Sequence, residues 1–146
     1  MRISKALKKL TKIKGEMSEL RSRIGKSNVA LEDNEFEENI DDLWKQYLEK
    51  RDVMIGIKQK IMKANIENGI FGKILLMAEK KAEAAMLRDL EIKEGKHTSG
   101  GFHSDTIHTY RCQINRTEQH KRIKDLDFEI ESIRDELDDF NSDTNI

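Results

Sequence analysis

The sequence predicts a mainly α fold, either a long antiparallel helical hairpin or a four-helix bundle, with a short strand or hairpin near residues 107–114. Three observations favour long helices. The chain of 146 residues has no proline, it has only 8 glycines, and its large apolar residues recur at spacings close to 3.5. Proline breaks helices and glycine weakens them. The length corresponds to one domain, so we predict a single helical domain over residues 1–146.

The first helix is predicted over residues 3–26. Its apolar residues follow steps of three and four that average 3.5, which is the spacing of a coiled-coil seam. The seam consists of Ile3, Leu7, Leu10, Ile13, Met17, Leu20 and Ile24. The other side of the helix carries a basic face of Lys5, Lys8, Lys9 and Lys12.

The second helix is predicted over residues 39–65, after an acidic loop at residues 27–39. Its apolar residues spread over more than one seam, which indicates contact with more than one partner helix. They are Ile40, Leu43, Trp44, Tyr47, Leu48, Met54, Ile55, Ile57, Ile61 and Met62. The two aromatic residues could form a ligand platform, but packing in a core or an interface is the interpretation that we favour.

A glycine-containing turn at residues 65–72 precedes the third helix, which we predict over residues 73–94. The apolar stripe of this helix contains three alanines, which would let another helix approach closely. Its members are Leu75, Ala78, Ala82, Ala85, Met86 and Leu90. Residues 95–105 are expected to form a flexible polar loop. After it, the alternation of apolar and polar residues over residues 110–114 indicates a short strand.

The last helix is predicted over residues 116–140. Asn115 is its expected cap, and Glu118 would complete a capping box. Its apolar residues follow steps of 3, 4, 3, 4 and 3, the most regular heptad spacing in the chain. These are Ile123, Leu126, Ile130, Ile133, Leu137 and Phe140. We interpret the seams of the first and last helices as packing or oligomer contacts.

Three long segments carry a family resemblance, LTKIKGEMSELRSRI, IMKANIENGIFGKILLMAEK and IKDLDFEIESIRDELDDFNSDT. In order and pattern they resemble the septicolysin-like family of small, largely uncharacterised bacterial helical proteins. The resemblance implies a helical fold and supplies no catalytic residues. The chain departs from the family at Lys80 and Lys81, where an Arg-Asp pair is usual, and near Cys112, where a proline is common. The family name implies membrane lysis, but the longest apolar run, residues 74–78, is far shorter than the roughly 20 residues that span a bilayer.

A metal-dependent enzyme is one alternative, because four histidines lie within 24 residues of one another, around a cysteine. They are His97, His103, His108 and His120, together with Cys112. The segment lacks the paired spacing of zinc sites, so we favour polar loop histidines and a packed thiol. The carboxylates of residues 135–139 splay around a helix, unlike a calcium loop. We therefore predict no catalytic, cofactor-binding or metal-binding residues.

Charge is distributed unevenly, although the formal net charge is only −1. Residues 1–26 contain nine basic and two acidic residues, whereas residues 27–44 contain seven acidic and no basic ones. Residues 125–146 contain one basic and nine acidic residues. Such blocks attract opposite charge within a fold or between subunits.

These patterns together predict a non-enzymatic structural or assembly protein that forms a helical homo-oligomer or joins other proteins of an assembly. A component of a larger particle, such as a phage virion or tail, fits this prediction. The expected location is the cytoplasm, or a virus particle assembled there, with no membrane partner. The alternative is a nucleic-acid-associated protein that binds through the basic first helix. We rank that alternative lower because no aromatic residues are interleaved with the lysines.

Overall fold

The computed structural model describes residues 1–98 and 106–146. It contains four helices, α1 (Ile3–Ser27), α2 (Ile40–Glu67), α3 (Ile70–Arg88) and α4 (Arg116–Asp143), and two strands, β1 (Gly95–Thr98) and β2 (Ile107–Tyr110). The predicted mainly α class with a short pair of strands is confirmed. None of the helices in the described part is both long enough and apolar enough to cross a membrane.

The residues fall into two compact units. The first unit contains Met1–Phe71 and Leu137–Ile146, and the second contains Gly72–Glu136. A single domain over residues 1–146 stays a prediction.

The first unit is built on an antiparallel pair of helices, α1 and α2. The direction follows from their polar contacts, because Arg21 reaches the hydroxyl of Tyr47 (3.3 Å) while the earlier residue Glu16 pairs with the later residue Lys50 (2.5 Å). Asn39 begins α2 by accepting hydrogen bonds from the N–H groups of the first turn, which is the usual function of an N-cap. The core between the two helices consists of Ala6, Leu10, Ile13, Met17 and Ile57.

The predicted seam of α1 is wrong at Leu7. Its side chain is 41% exposed, and Ala6, fully buried, occupies the position that we assigned to it. With Ala6 in place, the buried residues of α1 follow an unbroken heptad pattern, because the steps become 3, 4, 3, 4 and 3. They are Ile3, Ala6, Leu10, Ile13, Met17 and Leu20. The small residue Ala6 packs on the seam, and its larger neighbour Leu7 is exposed.

The two ends of the described chain meet in the first unit. The N–H of Ile3 donates to the carbonyl of Thr144 (3.0 Å), and the N–H of Ile146 donates to the carbonyl of Met1 (2.9 Å). The side chain of Ile146 packs against the core between α1 and α2. Thr144, which follows α4, thereby satisfies the N–H of Ile3 in the first turn of α1, a group that has no partner within the helix.

The second unit contains an antiparallel pairing of α3 with α4. Lys73 pairs with Glu136, and Arg88, at the other end of α3, pairs with Asp127 (3.1 Å). Lys80 of α3 pairs with Glu129 of α4 between them. The apolar contacts of this pair involve Ala84, Leu87, Ile123 and Leu126. Part of the acidic C-terminal charge therefore lies against basic residues of α3.

The predicted stripe of α3 lies on the wrong side of the helix. All six of its members, from Leu75 to Leu90, are exposed, while Ala84 and Leu87 are buried. Both sides of α3 are apolar at helical spacing, so periodicity alone does not identify the side that packs. In α4, Leu126 and Ile130 are buried, and the other seam residues are half-buried. Those half-buried residues are Ile123, Ile133, Leu137 and Phe140.

Around the two strands, three observed boundaries differ from the predicted ones. β1 pairs with β2 in an antiparallel register that sets Gly95 opposite Tyr110 and Thr98 opposite Ile107. β1 thus occupies the start of the predicted loop at residues 95–105, of which residues 99–105 lie outside the described part. The strand predicted near residues 107–114 ends at Tyr110. α3 ends at Arg88, six residues before the predicted boundary, because the chain extends from there to meet the strand pairing.

Candidate interaction surfaces

An exposed apolar row runs along α2. We name it the α2 stripe, and it consists of Trp44, Leu48, Ile55, Met62 and Ile66. At 3.6 residues per turn these five residues lie within about 40° of one another around the helix axis. Four of them are 43–60% exposed and Leu48 is half-buried. Arg51 and Gln59 lie in the two gaps on either side of Ile55. Single exposed apolar residues are ordinary on protein surfaces, whereas several along one side of a helix are typical of an interaction site.

The α2 stripe is separate from the side of α2 that packs on α1. Ile57 belongs to the core with α1, and Tyr47, Met54 and Ile61 pack against that core. These residues lie roughly 120° around the helix from the stripe. The wide apolar face predicted for α2 is therefore divided into a packed side and an exposed side.

Trp44 and Tyr47 show this division most clearly. Their ring centroids are 6.4 Å apart with the planes tilted by 48°. Tyr47 packs against the core, and the guanidinium of Arg21 lies 6.0 Å from its ring centroid. Trp44 is 54% exposed. The two rings do not form a shared platform, because one belongs to the core and the other to the surface.

The basic face of α1 is fully on the surface. Lys5, Lys8, Lys9 and Lys12 are all exposed, and Lys12 approaches Glu16 at 3.9 Å. Within residues 1–98 and 106–146, no ion pair involves the other three lysines. These three lysines leave α1 with uncompensated positive charge.

Two carboxylates that join α1 to neighbouring segments have shifted acidity. A hydrogen bond from Lys50 lowers the pKa of Glu16, and the charge of Lys12 acts in the same direction. A hydrogen bond from Arg23 (Nε to Oε2, 3.0 Å) lowers the pKa of Glu38, in the loop before α2. Both carboxylates are thus stabilised in the ionised form by cations across the α1–α2 connection.

The histidine and cysteine region forms a strand pair with a packed thiol. His97 and His108 face each other in the register of β1 and β2, and the ring of His97 meets the ring of Tyr110 edge-on at 5.8 Å. The thiol of Cys112 donates to the carbonyl of Lys93 (3.1 Å) and accepts from its N–H (3.2 Å).

No metal-binding group emerges from the described residues. Of the candidate ligands, His103 lies outside the described part, and His120 is on α4. Over residues 1–98 and 106–146 no group of three or more histidine, cysteine or acidic side chains could hold a metal ion.

Gln119 is a buried polar residue that the sequence analysis missed. It is 2% exposed, and its amide donates to the carbonyl of Leu87 (2.6 Å) while its oxygen accepts from Arg116 (3.3 Å). Leu87 is in the last turn of α3, where helical carbonyls lack partners within the helix. The spacing in the sequence could have indicated that Gln119 is buried, because it lies four residues before Ile123 on the seam of α4. The cap predicted at Asn115 is present, since its side chain accepts from the N–H of Glu118 (2.8 Å).

Comparison with known proteins adds no relative. No protein-family model, no curated protein and no solved structure matches the chain. The resemblance to the septicolysin-like family therefore stays a prediction.

Proposed function

We propose that this chain is a non-enzymatic structural or assembly protein that forms a helical homo-oligomer. The α2 stripe is the observation that supports the proposal, because it leaves a row of large apolar side chains in water. Membership of a larger particle, such as a phage virion or tail assembled in the cytoplasm, belongs to the same proposal.

The proposal uses a different surface from the one that the sequence suggested. The seams of α1 and α4 were the expected oligomer contacts. In the structure, Leu10 and Met17 lie in the core with α2, and Leu126 lies in the core with α3. These side chains have apolar partners within the chain, so a second copy would have to contact another surface. We choose the α2 stripe over the exposed apolar side of α3, because the α3 side, from Leu75 to Met86, is shorter and three of its residues are alanines.

Burial of the α2 stripe would give moderate affinity. Full burial of an exposed large apolar side chain contributes about 1.5–3 kcal/mol. The stripe residues are about half exposed, so each would contribute roughly half of that amount. Five residues from each of two copies give about 8–15 kcal/mol, against an association cost of about 4–15 kcal/mol. We therefore expect self-association that depends on concentration.

A pair of substitutions on α2 tests the proposal. Ile55 is in the stripe and is 43% exposed, while Val53 is 46% exposed and lies roughly 160° away around the helix. We expect Ile55→Asp to shift the chain to the monomer, because it would place an unpaired carboxylate in an apolar contact. Val53→Asp should associate like the wild type. Sedimentation velocity over a range of concentrations measures both.

Two results would contradict the proposal. One is a wild-type chain that stays monomeric at the highest soluble concentration. The other is an equal loss of association in both variants, which would show that α2 responds to any added charge. Circular dichroism of each variant separates loss of association from loss of folding.

Nucleic-acid binding through α1 is the second candidate function. The observation that favours it is the basic face, in which Lys5, Lys8 and Lys9 are exposed without an ion pair in the described part. Such a face can neutralise phosphates without reading sequence. We rank it second because the apolar α2 stripe would contribute nothing to it.

A further inference from the structure

The α2 stripe has the same spacing read from either end. Ile55 is at its centre, and Leu48 and Met62 are each seven residues from it. Trp44 and Ile66 are each eleven residues from it, in opposite directions. An interface between two identical surfaces related by a two-fold axis requires that residue i contact residue j and that j contact i. A row that is symmetric about its centre satisfies this requirement along a single helix.

We infer that α2 pairs with α2 of a second copy in antiparallel orientation, with Ile55 on the two-fold axis. In this register Ile55 meets its own copy, Leu48 lies opposite Met62 of the second copy, and Trp44 lies opposite Ile66. The contact extends over about 33 Å, because 22 residues separate its ends at 1.5 Å each. The inference rests on the proposed function, since it specifies the geometry of the same association.

Charge favours the antiparallel orientation over the parallel one. Residues 45–54, in the first half of α2, carry both signs of charge, with two acidic and three basic residues. The later part of α2 carries Lys58, Lys60 and Lys63, with no acidic residue between Asp52 and Glu67. In the antiparallel register, Lys58, Lys60 and Lys63 of one copy lie opposite this mixed stretch of the other copy, whereas parallel pairing sets each of the three lysines opposite its own copy. The dipoles of the two helices are also opposed in this orientation.

One flank of the register brings like charges together. Arg51 of one copy comes near Lys58 of the other, on the same side of the stripe. Asp52 offsets part of this repulsion, because its carboxylate pairs with Arg51 within the chain at 2.8 Å.

Disulfide trapping tests the register directly. Cys112 is the only cysteine, so Cys112→Ser gives a background without thiols. Packed helices have axes about 8–10 Å apart, and each Cα lies about 2.3 Å from its axis. Facing Cα atoms are then roughly 3.4–5.4 Å apart, and the upper part of this range is a distance that a disulfide bridges. In this background Ile55→Cys should form a covalent dimer under mild oxidation, and Val53→Cys, matched in exposure, should form at least tenfold less.

A mixing experiment separates the two orientations. Leu48→Cys and Met62→Cys, one of them carrying a size tag, should form mixed dimers when oxidised together, and each alone should form few. Self-linking of Leu48→Cys and of Met62→Cys would indicate parallel helices and would overturn the inference, although the chain would still be an oligomer. Equal linking of Val53→Cys and Ile55→Cys would place the contact elsewhere and would also overturn it. A monomeric wild-type chain would refute the proposed function itself.

Discussion

Leu126 and Phe128 of α4 give a sharp test of which side chains hold the second unit together. Leu126 is 6% exposed and packs with Ala84, Leu87 and Ile123. Phe128, two residues later, is 77% exposed. We predict that Leu126→Ala destabilises the protein strongly and that Phe128→Ala does not, although the second change removes the larger side chain.

The magnitude follows from burial. Truncation of a buried leucine removes its transfer free energy and leaves a cavity, at a cost of about 2–5 kcal/mol. A surface substitution away from such contacts usually stays within about ±0.5 kcal/mol. Ala84, which contacts Leu126, is too small to fill the cavity. We therefore expect the loss of stability in Leu126→Ala to lie within this range of about 2–5 kcal/mol.

Urea unfolding followed by far-ultraviolet circular dichroism measures the difference. With an m-value of about 2 kcal/mol per molar urea, Leu126→Ala should lower the midpoint by roughly 1–2.5 M. Phe128→Ala should move the midpoint by no more than about 0.3 M. An equal or larger loss in Phe128→Ala would refute the assignment of the packing side of α4.

Three further predictions concern metal, nucleic acid and pH. His108→Ala and Cys112→Ser should leave the circular dichroism spectrum intact and the purified protein without stoichiometric zinc by mass spectrometry; zinc that is bound in the wild type and lost in either variant would contradict this. Any binding to DNA should show a log–log salt slope no steeper than about −3 to −4, because four lysines each contribute roughly −0.9, and a steeper slope in fluorescence anisotropy would favour the second candidate function. The hydrogen bond from Arg23 lowers the pKa of Glu38 on folding, so its stabilisation is complete above the ordinary carboxyl pKa and is lost as pH falls below about 4.5. Acid titration of stability should therefore show a smaller loss in Glu38→Gln than in Glu37→Gln, and identical curves would contradict it.

Helix existence could be predicted from the sequence because it depends on local pattern. The heptad spacing of α1 and α4 and the asparagine cap at Asn115 are local features, and the described residues contain all four predicted helices. The end of α3 could not be predicted in this way. It depends on the pairing of β1 with β2, and the two strands are separated in sequence by the residues between Thr98 and Ile107.

The identity of the packed side depends on partners that periodicity does not show. Ala6, and not Leu7, lies on the seam of α1, because it continues the heptad spacing of the buried residues although its side chain is small. Both sides of α3 are apolar, and the side that packs is the one next to α4. Ion pairs between the two helices, such as Lys80 with Glu129, lie at this contact. Gln119 is on the α4 seam because it satisfies a carbonyl of α3. For α2 the sequence predicts a wide apolar face, but it does not show which part of that face α1 covers. The exposed α2 stripe could therefore not be separated from the packed side.

The mass of the wild-type protein in solution, measured by light scattering at low and high salt over a wide concentration range, tests the central claim most directly. Since the proposed contact is apolar, we predict a mass above the 17.0 kDa of one chain that rises with concentration and persists at high salt. A mass of one chain at every concentration and salt would contradict the account.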